Sequence, residues 1–291
     1  MFKNKAQNLE YLDTYNIINV EVPKFIFFNV NDWNQNKKKL IEKINKQLVK
    51  KICIRSSYYK EDNAKTSLAG KFDSFIDIDN NKKNIVRSIE NLINQYQSFN
   101  PKKKFFLKNY FIIQNYIRSS ICSGVITNYA LGDGAPYYSI NYNDLTNSTL
   151  SVTAGDKNSF RVLHISRNSK ENIRSLKFKK IIDAVKKIEK IYNYKPVDIE
   201  FALDKNLKVY ILQIRPISTT FKWKSINKSK FQSLLNKSEN KYQKIKKRNL
   251  RYGKKAVFGL MPDWNPAEII GFQPNLFSYS LYKFLVTDEI W

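Results

Sequence analysis

The residues best suited to chemistry in this chain lie in one run of alternating polar and apolar side chains. Residues 198–216 read DIEFALDKNLKVYILQIRP, with the two-residue period of a strand on each side of a polar turn at 204–206. A two-residue turn there places Asp198 opposite Gln213, with Glu200 one diagonal away on the same face. This register would gather two carboxylates and an amide oxygen on one side of a β-hairpin.

The same period assigns the other side chains of the hairpin to two faces. It puts Arg215 on the face of Gln213, together with Val209 and Ile211, and turns the apolar residues of the first strand the other way: Ile199, Phe201 and Leu203. Carboxylate and amide oxygens suit Mg²⁺, and a guanidinium suits phosphate oxygens. A half-buried hairpin with a polar solvent face would show the same pattern, so the hairpin alone leaves both interpretations open.

A second stretch, residues 55–75, reads RSSYYKEDNAKTSLAGKFDSF. A strand that ends on Arg55 gives way to a loop of small residues, and a strand pattern resumes near Phe72. Ser67 and Gly70 in this loop would let backbone N–H groups approach an anion closely. Most loops of this composition are simple turns, so this stretch indicates a phosphate loop only in combination with the hairpin.

Helices and strands must position these two stretches. The spacing of apolar residues predicts helices at 4–14, 32–49, 80–100 and 173–194, the second of them capped by Asp32. Strands are predicted at 24–28, 51–55, 122–129, 137–142, 149–153 and 160–165, and the segment 105–118 contains a further one, FIIQNYI.

Composition limits the class of protein. The chain has 291 residues, of which 42% are hydrophobic, enough for one large or two medium domains with a core. Lys and Arg number 51 against 25 Asp and Glu, a formal net charge of +26. The lysines run along the whole chain and no zinc-finger, basic-zipper or RNP-like motif is present. We therefore interpret the charge as scattered over solvated faces, and we do not expect nucleic acid as the partner.

Two further patterns bear on location. No apolar run is long enough to span a bilayer, and the N-terminal residues lack the apolar core of a signal peptide. Cys53 and Cys122 lie in apolar, strand-like contexts, which predicts reduced, buried thiols rather than a disulfide. These patterns together predict a cytoplasmic protein without a membrane partner.

The C-terminal part differs in composition from the rest. Residues 219–255 are rich in lysine and carry a helical pattern, which predicts a connecting segment with an exposed basic helix. Residues 256–291 are rich in Pro, Trp and aromatic residues and should be ordered. The helical pattern at Trp291 has no terminating signal, which suggests a further, truncated domain.

Three motifs in order carry a resemblance to a known family. The loop at 55–75, the strand SGVITN at 123–128 and the hairpin at 198–216 resemble the N-terminal nucleotide-binding domain of phosphoenolpyruvate synthase and pyruvate phosphate dikinase, over about residues 1–220. Asn128 stands where the family has Thr. The stretches GAPYYSINYND and MPDWNPAEIIG resemble one branch, which includes L-glutamine kinases; in the latter, Trp264 and Glu268 are candidates to line an acceptor site.

The family is similar to ATP-grasp proteins, and the resemblance implies an α+β fold. Two α+β subdomains with mainly antiparallel sheets would enclose a nucleotide cleft, followed by a C-terminal helical extension. We expect a first subdomain at 1–105, a second at 106–220, a linker helix at 221–255 and the start of a further domain at 256–291.

The resemblance also implies cofactors and site residues. ATP and Mg²⁺ would be the cofactors, with Glu200 and Gln213 holding the metal. Three residues would act at the reacting phosphates: Arg55, Asp198 and Arg215. Residues 67–74 would form the loop over the phosphates, and residues 114–117 would be the hinge along the adenine. The individual residues expected to bind ATP, besides Arg55, are Lys5, Ser67, Gly70, Asp73, Gln114, Asn115 and Ile117. Lys5 falls where the family has Gly-Gly-Lys, but Lys3 and Asn4 replace the glycines here.

In the family, the phosphoryl group passes to a histidine on a separate domain and then to a small molecule. This chain has one histidine, His164, in a strand-like context without the Gly-rich loop of a carrier. The resemblance therefore implies an ATP-dependent phosphotransferase module whose carrier lies in trans or on a missing extension. Three alternatives stay open: a carboxylate ligase of the ATP-grasp type, an inactive remnant and a basic nucleic-acid-binding protein.

Overall fold

A computed structural model describes residues 4–58, 62–63, 66–67, 71–99, 106–144, 161–167, 169, 173–217, 228–246, 267, 270–271 and 273–288. The chain divides into two compact units, Met1–Lys224 and Ser225–Trp291. The strand predicted at 149–153 lies outside the described residues, as do Gly70, Trp264 and Glu268.

The first unit contains four of the described helices: α1 (Lys5–Asp13), α2 (Val30–Gln47), α3 (Lys82–Phe99) and α4 (Leu176–Ile191). They correspond to the four predicted helices. The cap of α2 was predicted wrongly, because Asn29 is the N-cap and Asp32 is the third helical residue. The Asn29 side chain accepts from the N–H of Asp32, whose carboxylate accepts from the N–H of Asn29, so the two residues form a capping box.

Three sheets are described in this unit. The strands are β1 (Val20–Glu21), β2 (Phe25–Asn29), β3 (Lys51–Ser57), β4 (Asp62–Asn63), β5 (Thr66–Ser67), β6 (Ser74–Asp79), β7 (Tyr110–Asn115), β8 (Ser120–Thr127), β9 (Tyr137–Asn143), β10 (Arg161–Ser166), β11 (Val197–Asp204) and β12 (Val209–Pro216). A six-stranded sheet has the order β1-β12-β11-β8-β9-β10, a four-stranded sheet the order β2-β7-β3-β6, and β4 pairs with β5. Every pairing is antiparallel except that of β1 with β12.

Each of the two larger sheets has its own core. The apolar face of α4 packs on the six-stranded sheet, where Ile181 and Val185 join Ile199 and Phe201 in one buried cluster. A second cluster contains Ile44 and Ile89 of α2 and α3 with the inward side chains of β2, β3 and β7. The predicted α+β class with mainly antiparallel sheets is therefore confirmed.

Gly124 lets β8 and β9 approach each other closely. A Cβ atom at this position would lie 2.1 Å from the backbone oxygen of Asn141 and 2.8 Å from the Cα of Tyr142. Both neighbouring atoms belong to the backbone of the paired strand, so they cannot move aside without breaking the pairing. The glycine in the SGVITN motif is therefore required by the sheet itself.

The second unit contains α5 (Lys228–Lys246) and α6 (Leu276–Tyr282), which continues as a π-helix over Lys283–Asp288. The apolar side chains of α5 are 40% exposed at Phe231 and 53% exposed at Leu234. Within the described ranges, no helix is both long and apolar enough to cross a membrane.

Candidate functional site

The hairpin of β11 and β12 brings the predicted polar residues to one face, but in a different register. Asp198 lies opposite Arg215, and Glu200 lies opposite Gln213. The predicted pairing of Asp198 with Gln213 is therefore wrong, and Glu200 is a direct neighbour of Gln213 rather than a diagonal one.

Two local features produce the difference. The turn has three residues rather than two, because Asp204 pairs with Lys208 through a backbone hydrogen bond of 3.1 Å and Leu207 adopts a left-handed φ of 60°. A β-bulge between Glu200 and Phe201 then adds a second one-residue shift, with Leu212 as the additional residue of β12.

The two shifts explain why the face was predicted correctly while the pairs were not. A one-residue slip turns a side chain to the opposite face, and a second slip turns it back. The polar residues therefore stay together, but the bulge turns Val209 and Ile211 into the apolar core that also contains Phe201. The prediction that Val209 and Ile211 share a face with Gln213 and Arg215 is wrong for this reason.

Asp198 and Arg215 form a close ion pair in this register. Nε of Arg215 donates to Oδ2 of Asp198 at 2.8 Å, and Nη2 lies 2.6 Å from the same oxygen. The other carboxylate oxygen, Oδ1, is buried and no described residue forms a hydrogen bond with it. Burial raises the pKa of Asp198 above its usual range, while the Arg215 guanidinium opposes this shift. The orphaned oxygen marks a place where a ligand or water would bind.

Arg55 reaches Glu200 from the four-stranded sheet. Its Nη1 donates to Oε2 of Glu200 at 2.9 Å, and the two side chains are 6% and 16% exposed. Nε of Arg55 is buried and has no hydrogen-bond partner among the described residues. The predicted phosphate-contacting arginine and the predicted metal ligand, which are 145 positions apart in sequence, therefore meet between the two sheets.

Helix α1 places Lys5 beside the ion pair. Lys5 is 8% exposed, and its positive charge favours the ionised form of Asp198. Asn4, which stands where the family has glycine, caps α1 by accepting a hydrogen bond of 3.0 Å from the N–H of Gln7. The helix also joins the two sheets, since the N–H of Ala6 donates to Ser57 Oγ at 3.4 Å and α1 packs on β12.

The predicted hinge residues lie where one sheet passes into the other. Gln114 is buried in β7, and its Nε2 donates to the backbone oxygen of Pro23 at 3.4 Å. Asn115 Oδ1 accepts from the N–H of Val49 at 3.0 Å. Ile117 lies in the short connection 116–119, which leads from β7 of the four-stranded sheet to β8 of the six-stranded sheet.

The predicted phosphate loop is described only in part. Ser67 belongs to β5, where it pairs with Asp62. Asp73 is exposed and bound to α3, because its N–H donates to Gln95 Oε1 at 2.9 Å and its carboxylate accepts from Gln95 Nε2 at 2.6 Å. Asp73 therefore contacts α3 and not the ion pairs. The predicted site residues that the structure brings together are Lys5, Arg55, Asp198, Glu200, Gln213 and Arg215.

One polar position on this face was missed from the sequence. Thr127 of β8 lies directly opposite Asp198 and is 2% exposed. Its Oγ1 has no hydrogen-bond partner in the ranges that the structure describes. Its strand is separated from β11 by many residues in the chain, and pairing between distant strands leaves no local sequence signal. Among the described side chains, no group of three or more His, Cys, Asp or Glu is placed to hold a metal by itself.

A large cavity among the described residues of the first unit lies elsewhere. It has a volume of about 1010 Å³ and is lined by the loop after α1 and the turn of the hairpin, including Asp13, Glu21 and Lys208. This is the end of β11 and β12 opposite to Asp198 and Arg215, and none of the predicted site residues lines it.

Comparison with known proteins points to a nucleotide-binding family. Residues 134–235 match the AMP/ATP-binding domain of pyruvate phosphate dikinase, a segment that contains the whole β11–β12 hairpin. No curated protein sequence matches the chain.

Several solved structures are similar to part of this chain. They include an L-amino acid ligase from Bacillus licheniformis, with 13% identity, a TM-score of 0.41 and coverage of 74% of this chain and 42% of that one. A D-alanyl-alanine synthetase A from Vibrio cholerae has 14% identity, a TM-score of 0.43 and coverage of 74% and 54%. The chain thus spans about half the length of these structures. Through the match of residues 134–235, the resemblance to the pyruvate phosphate dikinase family is confirmed for its AMP/ATP-binding domain.

Proposed function

We propose that this chain is an ATP-binding phosphotransferase module that binds Mg–ATP and donates a phosphoryl group to a histidine carrier outside this sequence. The observation that carries the proposal is the contact of Arg55 with Glu200 across the two sheets, at 2.9 Å. A guanidinium can bind phosphate oxygens, and a carboxylate can bind the magnesium ion that accompanies them. The two groups face each other between the two sheets, so both could contact one Mg–ATP molecule.

The oxygen donors on the hairpin fit a magnesium ion. Glu200 and Gln213 are direct neighbours, and Asp198 on the same face has a buried oxygen to which no described residue donates. Magnesium prefers such oxygen ligands and keeps further sites for water and phosphate. Glu200 and Gln213 would hold the ion, which would neutralise charge on the phosphates during transfer.

The residues of the chain would position the nucleotide around this ion. Nε of Arg55 has no partner within the part of the chain that the structure describes, and the guanidinium can bind a phosphate in its forked geometry. Arg215, oriented by Asp198, and Lys5 from α1 would neutralise negative charge at the reacting phosphates. The hinge at 114–117 would lie along the adenine, as in the family. The domain would supply positioning and charge without forming a covalent intermediate itself.

The carrier is proposed to be separate because of the position of the single histidine. His164 lies on β10, three strands away from Asp198 in the six-stranded sheet. With strands about 4.8 Å apart, this separation is roughly 14 Å, too far for direct transfer from a phosphate held at Asp198. A histidine on another domain would have to approach the hairpin.

The test is a transfer assay with a supplied carrier. The chain is incubated with Mg–ATP and a separately purified histidine-bearing domain of a pyruvate phosphate dikinase, and the nucleotides are separated by chromatography. We expect AMP, inorganic phosphate and a phosphorylated carrier, because the terminal two phosphates leave ATP together, and water then releases one of them as inorganic phosphate while the other stays on the histidine. Arg215→Lys should reduce the rate by at least about a hundredfold, while Arg174→Lys at an exposed position should leave it unchanged. Release of ADP without a phosphorylated carrier would contradict the proposal and favour a carboxylate ligase.

A further inference from the structure

The side chain of Asn128 joins the end of β8 to the segment that leads into β11. Its Nδ2 donates to the backbone oxygen of Lys195 at 3.0 Å, and its Oδ1 accepts from the N–H of Val197 at 2.7 Å. The backbone N–H of Asn128 also donates to the backbone oxygen of Val197, at 3.2 Å. Asn128 is fully buried. These three hydrogen bonds fix the backbone immediately before Asp198.

The chain turns sharply between the end of α4 and the start of β11. The N–H of Tyr194 donates to the backbone oxygen of Glu189 at 2.7 Å, and that of Asn193 donates to the backbone oxygen of Lys190 at 3.2 Å, the Schellman pattern of a helix end. Asn193 and Tyr194 both have left-handed backbone angles, with φ of 52° and 56°, which bulky residues rarely adopt. Contacts from outside the helix must therefore hold the start of β11 in register, and the Asn128 side chain provides two of them.

Arg167 holds Asn128 in turn. Its Nη1 donates to the backbone oxygen of Asn128 at 2.9 Å and also pairs with the carboxylate of Glu189 on α4, while Nη2 lies 3.3 Å from Oε2 of that carboxylate. The Arg167 and Glu189 side chains are 16% and 2% exposed. The guanidinium also packs against two aromatic rings, with Cζ 4.6 Å from the ring centre of Tyr129 and 4.7 Å from that of Tyr138. This cluster therefore ties Asn128 to α4 and to β9.

The protonation of this cluster favours a supporting role over a part in proton transfer. Burial disfavours the charge on Arg167, but the hydrogen bond to Glu189 outweighs it and raises the pKa of the guanidinium. The Tyr138 hydroxyl donates to Oε2 of Glu189 at 3.1 Å, and burial raises the pKa of this hydroxyl above its usual value. Arg167 and Tyr138 therefore keep their protons near neutral pH, and the cluster acts as a fixed support.

We propose that Asn128, anchored by Arg167, is a positioning residue for Asp198. It fixes the first residues of β11, so that the Asp198 carboxylate orients Arg215 towards the reacting phosphates. Thr127 and Asp198 form the last pair of β8 with β11 at this end, and the ends of elements are where local opening costs least. The clamp of Asn128 lies one residue beyond this pair and prevents such opening. This inference rests on the proposed function for its consequence in phosphoryl transfer, but not for the hydrogen bonds themselves.

The Nε–H group of Arg215 reports this geometry directly, because it donates to Asp198 at 2.8 Å. Its ¹H–¹⁵N resonance is assigned in the intact chain by its loss in Arg215→Lys, and its exchange with water is measured by NMR. Asn128→Ala removes both side-chain hydrogen bonds of the clamp, so we expect the resonance to shift and to exchange at least about tenfold faster. An unchanged resonance and exchange rate in a folded Asn128→Ala protein would overturn the proposal.

Asn80→Ala is the matched control. The Asn80 side chain likewise donates to two backbone oxygens, just after α2 and both at 3.2 Å. It lies next to the start of β3, whereas Arg55 lies near the other end of that strand. Its removal should lower the stability of the fold without changing the Arg215 resonance or its exchange. If Asn80→Ala changes both as strongly as Asn128→Ala does, the effect is one of general stability and the proposal is wrong.

Arg167→Lys tests the anchor and keeps the proposal testable if Asn128→Ala does not fold. Lysine keeps the positive charge beside Glu189 but loses the planar fork that also reaches the backbone oxygen of Asn128. We therefore expect the Arg215 Nε–H group to exchange about threefold faster in Arg167→Lys. An unchanged exchange rate in this variant would show that Arg167 does not anchor Asn128 and would overturn the proposal.

The kinetic consequence is a loss of rate with little loss of affinity. A displacement of about 1 Å at the reacting groups can reduce a rate about a hundredfold, so phosphorylation of the carrier at saturating Mg–ATP should slow by about that factor in Asn128→Ala. Glu200 and Gln213 keep their places, so the Kd for Mg–ATP, measured by calorimetry, should change less than about threefold. An unchanged rate at saturating Mg–ATP would overturn the proposal.

The two readouts together separate this inference from the proposed function. If the wild-type chain phosphorylates the carrier, but Asn128→Ala changes neither the rate nor the Arg215 resonance, the positioning role is wrong and the phosphotransferase function stands. If Asn128→Ala alters the resonance but the wild-type chain phosphorylates no carrier, Asn128 positions Asp198 as proposed and the phosphotransferase function fails.

Discussion

Arg55 Nη1 and Glu200 Oε2 are 2.9 Å apart, although the two residues belong to different sheets. In this state the guanidinium occupies a carboxylate oxygen that the proposed function assigns to Mg²⁺. Binding of Mg–ATP would therefore exchange one partner for another: Glu200 would turn to the metal, and Arg55 would turn to a phosphate.

The stability of the free protein should depend on this ion pair. Glu200→Gln leaves the guanidinium of Arg55, which is 6% exposed, without its counter-charge, and we expect a loss of about 3 kcal/mol in the free energy of unfolding. The double variant Arg55→Met with Glu200→Gln should recover most of this loss, because no buried charge remains. Urea unfolding of Arg55→Met, Glu200→Gln and the double variant measures the interaction energy between the two side chains. If the effects of the two single variants simply add up in the double variant, the ion pair does not hold the sheets together.

Nucleotide affinity should depend on the shape of the arginine as well as on its charge. Arg55→Lys keeps the positive charge but loses the fork that binds two phosphate oxygens, so we expect Mg–ATP binding to weaken about tenfold. Arg87→Lys on the exposed face of α3 controls for the change of residue type. Equal affinity of the Arg55→Lys and Arg87→Lys proteins would mean that Arg55 does not contact the phosphates.

Gly124 should be intolerant of a side chain. Gly124→Ala places a Cβ 2.1 Å from the backbone oxygen of Asn141, and we expect a loss of about 3 kcal/mol in stability from overpacking. Gly132→Ala is the matched control, since no atom of a described residue lies within 4 Å of its Cβ position, and its effect should stay within about 0.5 kcal/mol. Thermal unfolding of the two variants compares them, and a similar Tm would contradict the described pairing of β8 with β9.

The buried Cys122 should make the protein sensitive to alkali. Burial raises the pKa of Cys122 to about 12 from its ordinary 9.0, so the unfolded thiol ionises before the folded one. Stability from this group is complete below pH 9 and is lost as the pH rises from 9 towards 12, at up to roughly 1.4 kcal/mol per unit. Cys122→Ala should make the decline in urea-unfolding free energy less steep over this range. An unchanged slope would show that the thiol is not shielded.

The sequence was sufficient for the helices and for the polar face of the hairpin, because both depend on local periodicity. It was insufficient for the register, since neither the three-residue turn at Leu207 nor the bulge after Glu200 has a clear local signal. The alignment of Thr127 with Asp198 could not be predicted at all, because it results from the pairing of strands that are distant in the chain. The periodicity of the sequence does not predict that Arg55 and Glu200 lie close together. That prediction came from the family resemblance, which assigned both residues to the nucleotide site.

The central claim is that the hairpin holds a metal–nucleotide through Glu200 and Gln213. The most direct measurement is the calorimetric titration of ATP into the intact chain with and without Mg²⁺, for the wild type, Glu200→Ala and the exposed control Glu42→Ala. We predict that Mg²⁺ strengthens ATP binding at least about tenfold in the wild type and in Glu42→Ala, and that Glu200→Ala abolishes this effect. Failure of the wild-type chain to bind ATP, or an undiminished Mg²⁺ effect in Glu200→Ala, would contradict the claim.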